Sequence, residues 1–549
     1  MKYFLIIFAF FGGWILKKIS EKFLDKTLGS HVDVAVDIVV DEWLVPAFNA
    51  MKEYLADNTL KEVETKAQKG DSEAQFNMGT MFYFGAGVKQ DRSEAFRWWL
   101  KSAEQGYDRA QYNIAQMYRQ GNNVQQNKTE ALKWFFKAAE QGVMEAQNNL
   151  AAMYHDGEGT AKDYNEAFKW YSKAAEQGLA DAQYNLARMY ENGEGVMKDE
   201  NAMLRLYRRA AEQGHVKAQN NLAAIYYKGK HVRQDYSEAF RWWSEAAGKE
   251  LTEAQNNLAV MYENGEGVQQ NYSEAIRLYR QAADKGDMDA QYNLALMYYE
   301  GRGIAQNYSE AIKWMRKSAQ QGHAEAQYNL GFIYQNGTGV KQDYSEAVLW
   351  YRKAAEQGFS HAENNLGCMY YAEHDYSEAF KWLHKAAEHH FAEAQSNLAL
   401  MYYKGDGIKQ DYNEAVKWLR RAALNGYSQA KNILMQLGED TDLADMIKID
   451  RLYEKAEQGD AEAQFNLAVM YHQGMGVKQD KAGALKWYRK SAEQEFVKAQ
   501  FNLALMYGKG DGVEVDFNEA KYWLSKAAKQ GDMNAQRALS KLGEYDRQN

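Results

Sequence analysis

An asparagine returns at a fixed place along this chain. Asn77, Asn113, Asn149, Asn185, Asn221, Asn257, Asn293, Asn329 and Asn365 stand 36 residues apart, and Asn397, Asn466 and Asn502 continue the series at altered spacing. A primary amide carries two donors and an acceptor oxygen, so a row of them could hold the backbone of an extended peptide. Asparagine is also a poor mid-helix residue, because its side chain competes for backbone hydrogen bonds, and its recurrence therefore needs a cause. Two causes fit: a ladder turned towards a ligand, or bonds to the neighbouring repeat. The residue just before each asparagine is Tyr112, Tyr184, Tyr292, Tyr328, Phe76, Phe465 or Phe501 in seven copies and Asn148, Asn220, Asn256 or Asn364 in four others. Aromatic rings with a polar handle suit protein recognition and serve equally as packing, and spacing does not separate an exposed ring from a buried one.

Other groups offer less. Five of the eleven histidines, His361, His374, His384, His389 and His390, fall close together, and Glu388 follows His384 by one helical turn. No HExxH or paired-cysteine spacing accompanies them, so they read as surface histidines and no metal is expected. Glycine pairs such as Gly157/Gly159, Gly193/Gly195, Gly265/Gly267 and Gly337/Gly339 invite comparison with phosphate-cradling loops. They lack the Lys-Ser/Thr ending and follow helices instead of strands, which makes them helix terminators. Polar residues repeat evenly instead of converging once, so no catalytic set can be assembled; neither an enzyme nor a cofactor is expected. The single cysteine, Cys368, excludes a disulfide framework and stands where other copies carry Leu, Val, Ala or Phe, as ordinary packing would place it.

These residues sit on a repeat. The dipeptide Ala-Gln begins at Ala74, Ala110, Ala146, Ala182, Ala218, Ala254, Ala290 and Ala326, and equivalent alanines follow at Ala362, Ala394, Ala430, Ala463, Ala499 and Ala535. One copy holds two helical patterns separated by a glycine loop. In the first, helix A, Ala182, Leu186, Ala187 and Tyr190 recur at helical spacing and define one apolar face. In the second, helix B, a tryptophan stands 24 residues after the motif alanine, at Trp98, Trp134, Trp170, Trp242, Trp314, Trp350, Trp418, Trp487 and Trp523, with Leu206 and Leu278 replacing it. Each unit can bury its faces only against its neighbours, which predicts an elongated stack.

The 36-residue period, the GxGV loop and the WYxKAAEQG helix at 170–178 and 350–358 resemble the Sel-1-like repeat family, relatives of the tetratricopeptide repeats. The resemblance covers roughly residues 60–543. It implies an all-α fold, a right-handed α-solenoid superhelix of about thirteen helix pairs, with helix A lining a concave groove where the asparagines could form a peptide-holding ladder. Two copies depart from the pattern: the ninth lacks four loop residues (MYYAEHDYSEAF, 369–380), and the eleventh, 438–459, is acidic and has no GxGV. The latter is expected to act as a bend or hinge. Cysteine-rich relatives have been described as binding or hydrolysing β-lactams, but their hallmark disulfide in every repeat is absent here, and a hydrolase stands as the distant alternative.

Charge and the amino terminus complete the reading. Sixty-six basic against 75 acidic residues give a net charge of −9, with both signs mixed in every repeat and no clustered basic face, so nucleic acid is not an expected partner. The lone proline, Pro46, precedes the repeats. Residues 3–16, YFLIIFAFFGGWIL, form an apolar run between Lys2 and the pair Lys17/Lys18. As a helix it would rise about 21 Å, short of a hydrocarbon core of about 30 Å. It reads as an uncleaved signal anchor with Trp14, Lys17 and Lys18 at the interface, as a cleaved export signal, or as a peripheral helix. The expected organisation is an anchor or signal over 1–20, a linker or capping segment over 21–57, repeats over 58–437, the aberrant copy at 438–459, and closing repeats over 460–549. The expected function is an anchored or exported bacterial scaffold, a monomer, that binds a protein or peptide in its groove, in host interaction or envelope processes as the resemblance implies. An immunity protein that neutralises a secreted toxin is the alternative.

Overall fold

The computed structural model describes residues 60–439 and 442–548, in which 28 helices and no strand are found. Expectations for 1–20 and 21–57, including Trp14, Lys17 and Lys18, fall outside the described residues. The chain divides into two compact units, residues 1–254 and 255–549. In the first, the helix Leu60–Gln68 precedes five A/B pairs, from Ser72–Phe84 with Arg92–Glu104 to Val216–Lys228 with Tyr236–Gly248. In the second, the pairs run from Thr252–Asn264, at whose start the boundary falls, with Tyr272–Asp284, to Val497–Lys509 with Phe517–Lys529, and the single helix Met533–Gln548 follows. Setting aside the two unpaired end helices leaves thirteen pairs, as the period predicts.

Local chemistry sets the ends of these elements. B helices open on Asp or Asn: the Asp163 carboxylate accepts from the amides of Asn165 and Glu166, both at 3.0 Å, satisfying donors that have no partner within the helix. A helices close on a left-handed glycine such as Gly193, φ 79°, whose amide returns to the Met189 carbonyl. The second glycine of the loop has a further reason. A Cβ on Gly159 would lie 2.5 Å from the backbone carbonyl of Lys128, at the start of the preceding B helix, so the loop seats directly on the earlier repeat. Copies without that glycine put Asn123 (φ 56°) or His231 (φ 67°) there, and these residue types tolerate positive φ best after glycine.

Within each unit packing alternates, A helices such as Ala180–Asn192 against their own B helix and B helices such as Glu200–Glu212 against the next A; the truncated Ser428–Gln436 packs on the preceding B helix instead of its own. The motif alanines Ala182, Ala218 and Ala290 are wholly buried, as are Ala174 and Ala210 of the B helices, because small residues let the helices approach closely. The expected helix B tryptophans are buried at Trp134, Trp170, Trp242, Trp314, Trp350, Trp418 and Trp523 and half-buried at Trp98 and Trp487. Lysine ammonium groups cover several rings, Lys173 at 4.1 Å from the Trp170 centroid and Lys317 at 4.0 Å from Trp314. Each such contact contributes about 0.5–1 kcal/mol at an exposed site. The molecule is an all-α solenoid of repeated helix pairs.

The eleventh copy departs in a specific way. Its A helix, Ser428–Gln436, has nine residues where the others have thirteen, and its B helix, Leu443–Glu457, packs against both Tyr412–Leu424 and Ala461–Gln473. Arg420 and Glu439 form an ion pair at 2.6 Å with each side chain 1% exposed. In regular copies the equivalent arginine meets a tyrosine 18 residues on, as Arg280 does Tyr298 at 2.6 Å. Truncation of the A helix removes that tyrosine, and Glu439 takes the guanidinium instead, with the Gly476 carbonyl as a second acceptor at 2.9 Å.

Candidate functional site

The asparagines sit on helix A, one residue before a buried apolar side chain, a leucine in ten copies, Met78 and Ile114 in the other two. Asn77 and Asn113 are buried, Asn466 is exposed, and the remaining nine are half-buried. Their amide donors reach back to the preceding repeat in two ways. Asn185 donates to Asn148 Oδ1 at 3.2 Å, Asn293 to Asn256 Oδ1 at 2.9 Å and Asn397 to Asn364 Oδ1 at 3.0 Å, each acceptor being the residue beside the previous asparagine. Where that residue is tyrosine the phenol substitutes for the amide: Asn149 donates to Tyr112 Oη at 3.3 Å and Asn329 to Tyr292 Oη at 2.9 Å. Asn221, Asn365 and Asn502 reach instead to helix B tyrosines, Tyr207, Tyr351 and Tyr488, at 3.2–3.3 Å. One amide hydrogen of each of these eight is thus engaged between repeats. The Oδ1 of Asn149 also accepts from Arg119 at 3.0 Å.

The aromatic residues beside the ladder pack in the seams. Tyr112 is buried, and burial pushes its phenol up to about 12 despite hydrogen bonds from Gln116 and Asn149. Tyr184 and Tyr292 are half-buried and stack on His215 and His323 with ring centroids 4.5 and 4.6 Å apart. Burial raises both phenols above the ordinary value, as it does that of Tyr328, whose ring lies 5.3 Å from Phe359.

One helical turn after each asparagine a further column opens on the same side. In residues 255–549 it reads Val260, Leu296, Phe332, Cys368, Leu400, Val469 and Leu505. Phe332 is 44% exposed and Leu400 42%. Cys368 is half-buried, receives a hydrogen bond from Asn397 at 3.3 Å, and has its thiol pushed up to about 11 by burial.

Sequence reasoning passed over a second polar column. The glutamines of the Ala-Gln pairs are buried, save the exposed Gln536, and reach the carbonyl eight residues earlier, at the end of the preceding B helix, as Gln147 does to Ala139 at 3.0 Å and Gln327 to Ala319 at 2.9 Å. In eight copies the glutamine oxygen accepts from the glutamine 30 residues later, as Gln177 donates to Gln147 at 2.7 Å and Gln357 to Gln327 at 2.8 Å. The available signal was the recurrence of a polar residue beside a wholly buried alanine. The ninth copy alters this rung. Glu363, fully buried, takes the glutamine position, His389 Nδ1 lies 3.0 Å from one carboxylate oxygen and Lys385 Nζ 2.9 Å from the other. Lys385 also donates to the Ala355 carbonyl that the glutamine amide would have served. Of the clustered histidines, His389 therefore completes a rung, while His384 stands 3.6 Å from Glu388 on the B helix surface. Among the described residues no three imidazole, thiol or carboxylate groups gather as a metal cage.

Two cavities flank the aberrant copy. One, of about 490 Å³, is walled by Ile449, Leu452, Met470 and Met475 with the exposed Asn466 at its side. The other, of about 560 Å³, has five carboxylates in its wall together with His384, His390, Lys417, Arg421 and Trp418. Among the described residues no helix is long and apolar enough to cross a membrane.

Comparison with known proteins agrees with this architecture. The sequence matches the Sel1 repeat over twelve segments: 72–107, 108–143, 145–179, 180–215, 216–249, 252–287, 289–323, 324–359, 360–390, 392–427, 461–496 and 497–532. The unmatched interval 428–460 is the truncated copy. A protective antigen with an SLR fold, present in uropathogenic Escherichia coli strains, is 30% identical; the alignment covers 89% of this chain and 97% of that one, with a TM-score of 0.58. A Sel1 repeat protein from Oxalobacter formigenes is 31% identical over 58% of this chain and 93% of its own, with a TM-score of 0.45. An immunity protein from Pseudomonas aeruginosa aligns at 22% identity over 39% of this chain and 81% of its own, with a TM-score of 0.27, too low to bear on function. No curated protein matches. Solenoids of this type serve in general as scaffolds that bind other proteins and do not in general catalyse. With twelve matched segments spread through most of its length, the chain belongs to the Sel1 repeat family.

Proposed function

We propose that the protein is a scaffold that binds an extended polypeptide along its A helices, with the asparagine column and the apolar column beside it as the contact strip. The observation that carries this reading is Phe332 and Leu400, large apolar side chains left more than two-fifths exposed in one column, next to half-buried amides with an acceptor oxygen to offer. Exposed apolar groups beside fixed hydrogen-bonding groups are what a strip for an extended chain requires. The half-buried Tyr184, Tyr292 and Tyr328 stiffen that strip. Since the asparagine amides also tie repeat to repeat, docking and rigidity share one set of residues. Attachment to a membrane or export through residues 1–20 belongs to the same reading and rests on the apolar run and its flanking lysines.

The test uses the full chain with Phe332→Ser and Leu400→Ser together, against Leu349→Ser, which alters a 45%-exposed leucine on a B helix. A bound polypeptide recovered with wild type and Leu349→Ser, but lost from the double variant at unchanged helicity, supports the strip. Retention by the double variant places the binding surface elsewhere.

A further inference from the structure

The larger cavity exists because a B helix, Leu443–Glu457, lies directly on the B helix Tyr412–Leu424. Its volume of about 560 Å³ falls within the range of roughly 300–1,000 Å³ typical of ligand pockets. Charge in its wall is unbalanced. Glu388, Glu414, Asp450, Glu454 and Glu457 face only two fixed cations, Lys417 and Arg421, an excess of three carboxylates. Each cation is shared: Lys417 bonds to both Glu414 and Glu457, and Arg421 to Asp450 at 3.0 Å and Glu454 at 4.0 Å.

A second observation is independent of charge. In five other repeats the helix B tryptophan donates to the glutamate four residues before it, at 2.9–3.2 Å, as Trp170 does to Glu166 and Trp382 to Glu378. In this copy Lys417, only 6% exposed, bridges Glu414 to Glu457, and Trp418, a residue of the cavity wall, has its Nε1 buried without an acceptor. Trp418 itself is 6% exposed. A buried donor without a partner costs free energy that a ligand oxygen would recover.

We propose that this cavity receives an arginine or lysine side chain of a partner polypeptide, with Trp418 Nε1 donating to a backbone carbonyl beside it. Surplus carboxylates select the cation, and the indole donor selects a peptide over a bare amine. Arginine is preferred, because its planar fork pairs with two carboxylates at once. The inference rests on the reading of the chain as a polypeptide binder but uses B helices and not the asparagine column, so the two can fail separately.

The test is fluorescence anisotropy on the full chain with a labelled acetyl-Gly-Gly-Arg-Gly-Gly-amide and its citrulline counterpart, which keeps the shape and removes the charge. The expected result is binding at least about tenfold tighter for the arginine peptide. Glu388→Gln with Glu454→Gln, both more than half exposed, should erase that preference without disturbing the fold. Trp418→Phe, which keeps a ring but no donor, should weaken both peptides about three- to tenfold. Phe332→Ser with Leu400→Ser should change nothing here. Equal affinity for the two peptides, no binding of the arginine peptide, or indifference to the paired glutamine substitutions overturns the proposal while leaving the helix A strip untouched.

Discussion

Replacing both Lys385 and His389 by alanine would leave the Glu363 carboxylate fully buried without the ammonium and imidazole that contact it. Removing the partners of a buried ion costs about 3–5 kcal/mol. Either single substitution should cost less, about 1–2 kcal/mol, since the other group stays within 3.0 Å of the carboxylate and each is about two-fifths exposed, already partly solvated. The reverse experiment converts the rung to the form seen in the other copies. Glu363→Gln with His389→Gln offers an amide to the Ala355 carbonyl and a second amide to the first, the arrangement that Gln327 and Gln357 make one repeat earlier. A neutral replacement of a buried ion pair is commonly stabilising or without effect, so this double variant should match or exceed wild type. Because a repeat array need not unfold as one unit, the assay is hydrogen exchange in the helix Ser360–Ala372. A loss of 3–5 kcal/mol should lower protection by about two to three and a half orders of magnitude. Unchanged protection in the double alanine variant, or lower protection in the double glutamine variant than in the double alanine one, would refute the account of Glu363 as a substituted rung.

Other outcomes follow from the same geometry. Gln147→Ala should cost about 1 kcal/mol, because it removes the amide that joins the Ala139 carbonyl to Gln177 while leaving that carbonyl the Gly142 amide, and exchange in the neighbouring helices would register it. Arg420→Met alone should cost about 3 kcal/mol by leaving the buried Glu439 without its cation, with only the Tyr412 hydroxyl and Lys478 amide as donors, read by urea unfolding, with Arg420→Met/Glu439→Leu recovering a large part of it. Gly159→Ala should destabilise more than Gly178→Ala, since both have positive φ but only the former meets backbone, 2.5 Å from Lys128; thermal unfolding of the two variants ranks them. Cys368 can be labelled specifically, being the only cysteine. Burial favours its neutral thiol and moves it from 9.0 to about 11, so alkylation at pH 8 should run about a hundredfold below a free cysteine and climb with pH towards 11. A rate that levels off near pH 9 would refute that placement.

The period and the helix pairs were legible because a 36-residue repetition states the same hydrophobic pattern many times over, and Trp170, Ala182 and Gly193 each occupy the position their chemistry demands. The asparagines were legible as a column but not as a set of bonds, since the partners of Asn185 and Asn221 lie 37 and 14 residues earlier, one on the previous A helix and one on the previous B helix. Gln147 escaped notice for the opposite reason: a residue that recurs in almost every copy marks the period so well that it is read as punctuation. Least legible was the region around 412–457, where loss of one turn of helix A redirects side chains that meet regular partners elsewhere. Arg420 loses its tyrosine and turns to Glu439, and Lys417 gains Glu457 in addition to Glu414. No pairwise rule links these residues in sequence; they are linked because a regular stack distributes identical contacts, and a deletion at one place must be absorbed by the groups that would have met it. A solenoid built from near-identical units has little to distinguish one partner from another along its length. Its irregular copies, where standard contacts cannot be made and new ones must be found, are the places at which it can acquire a particular specificity.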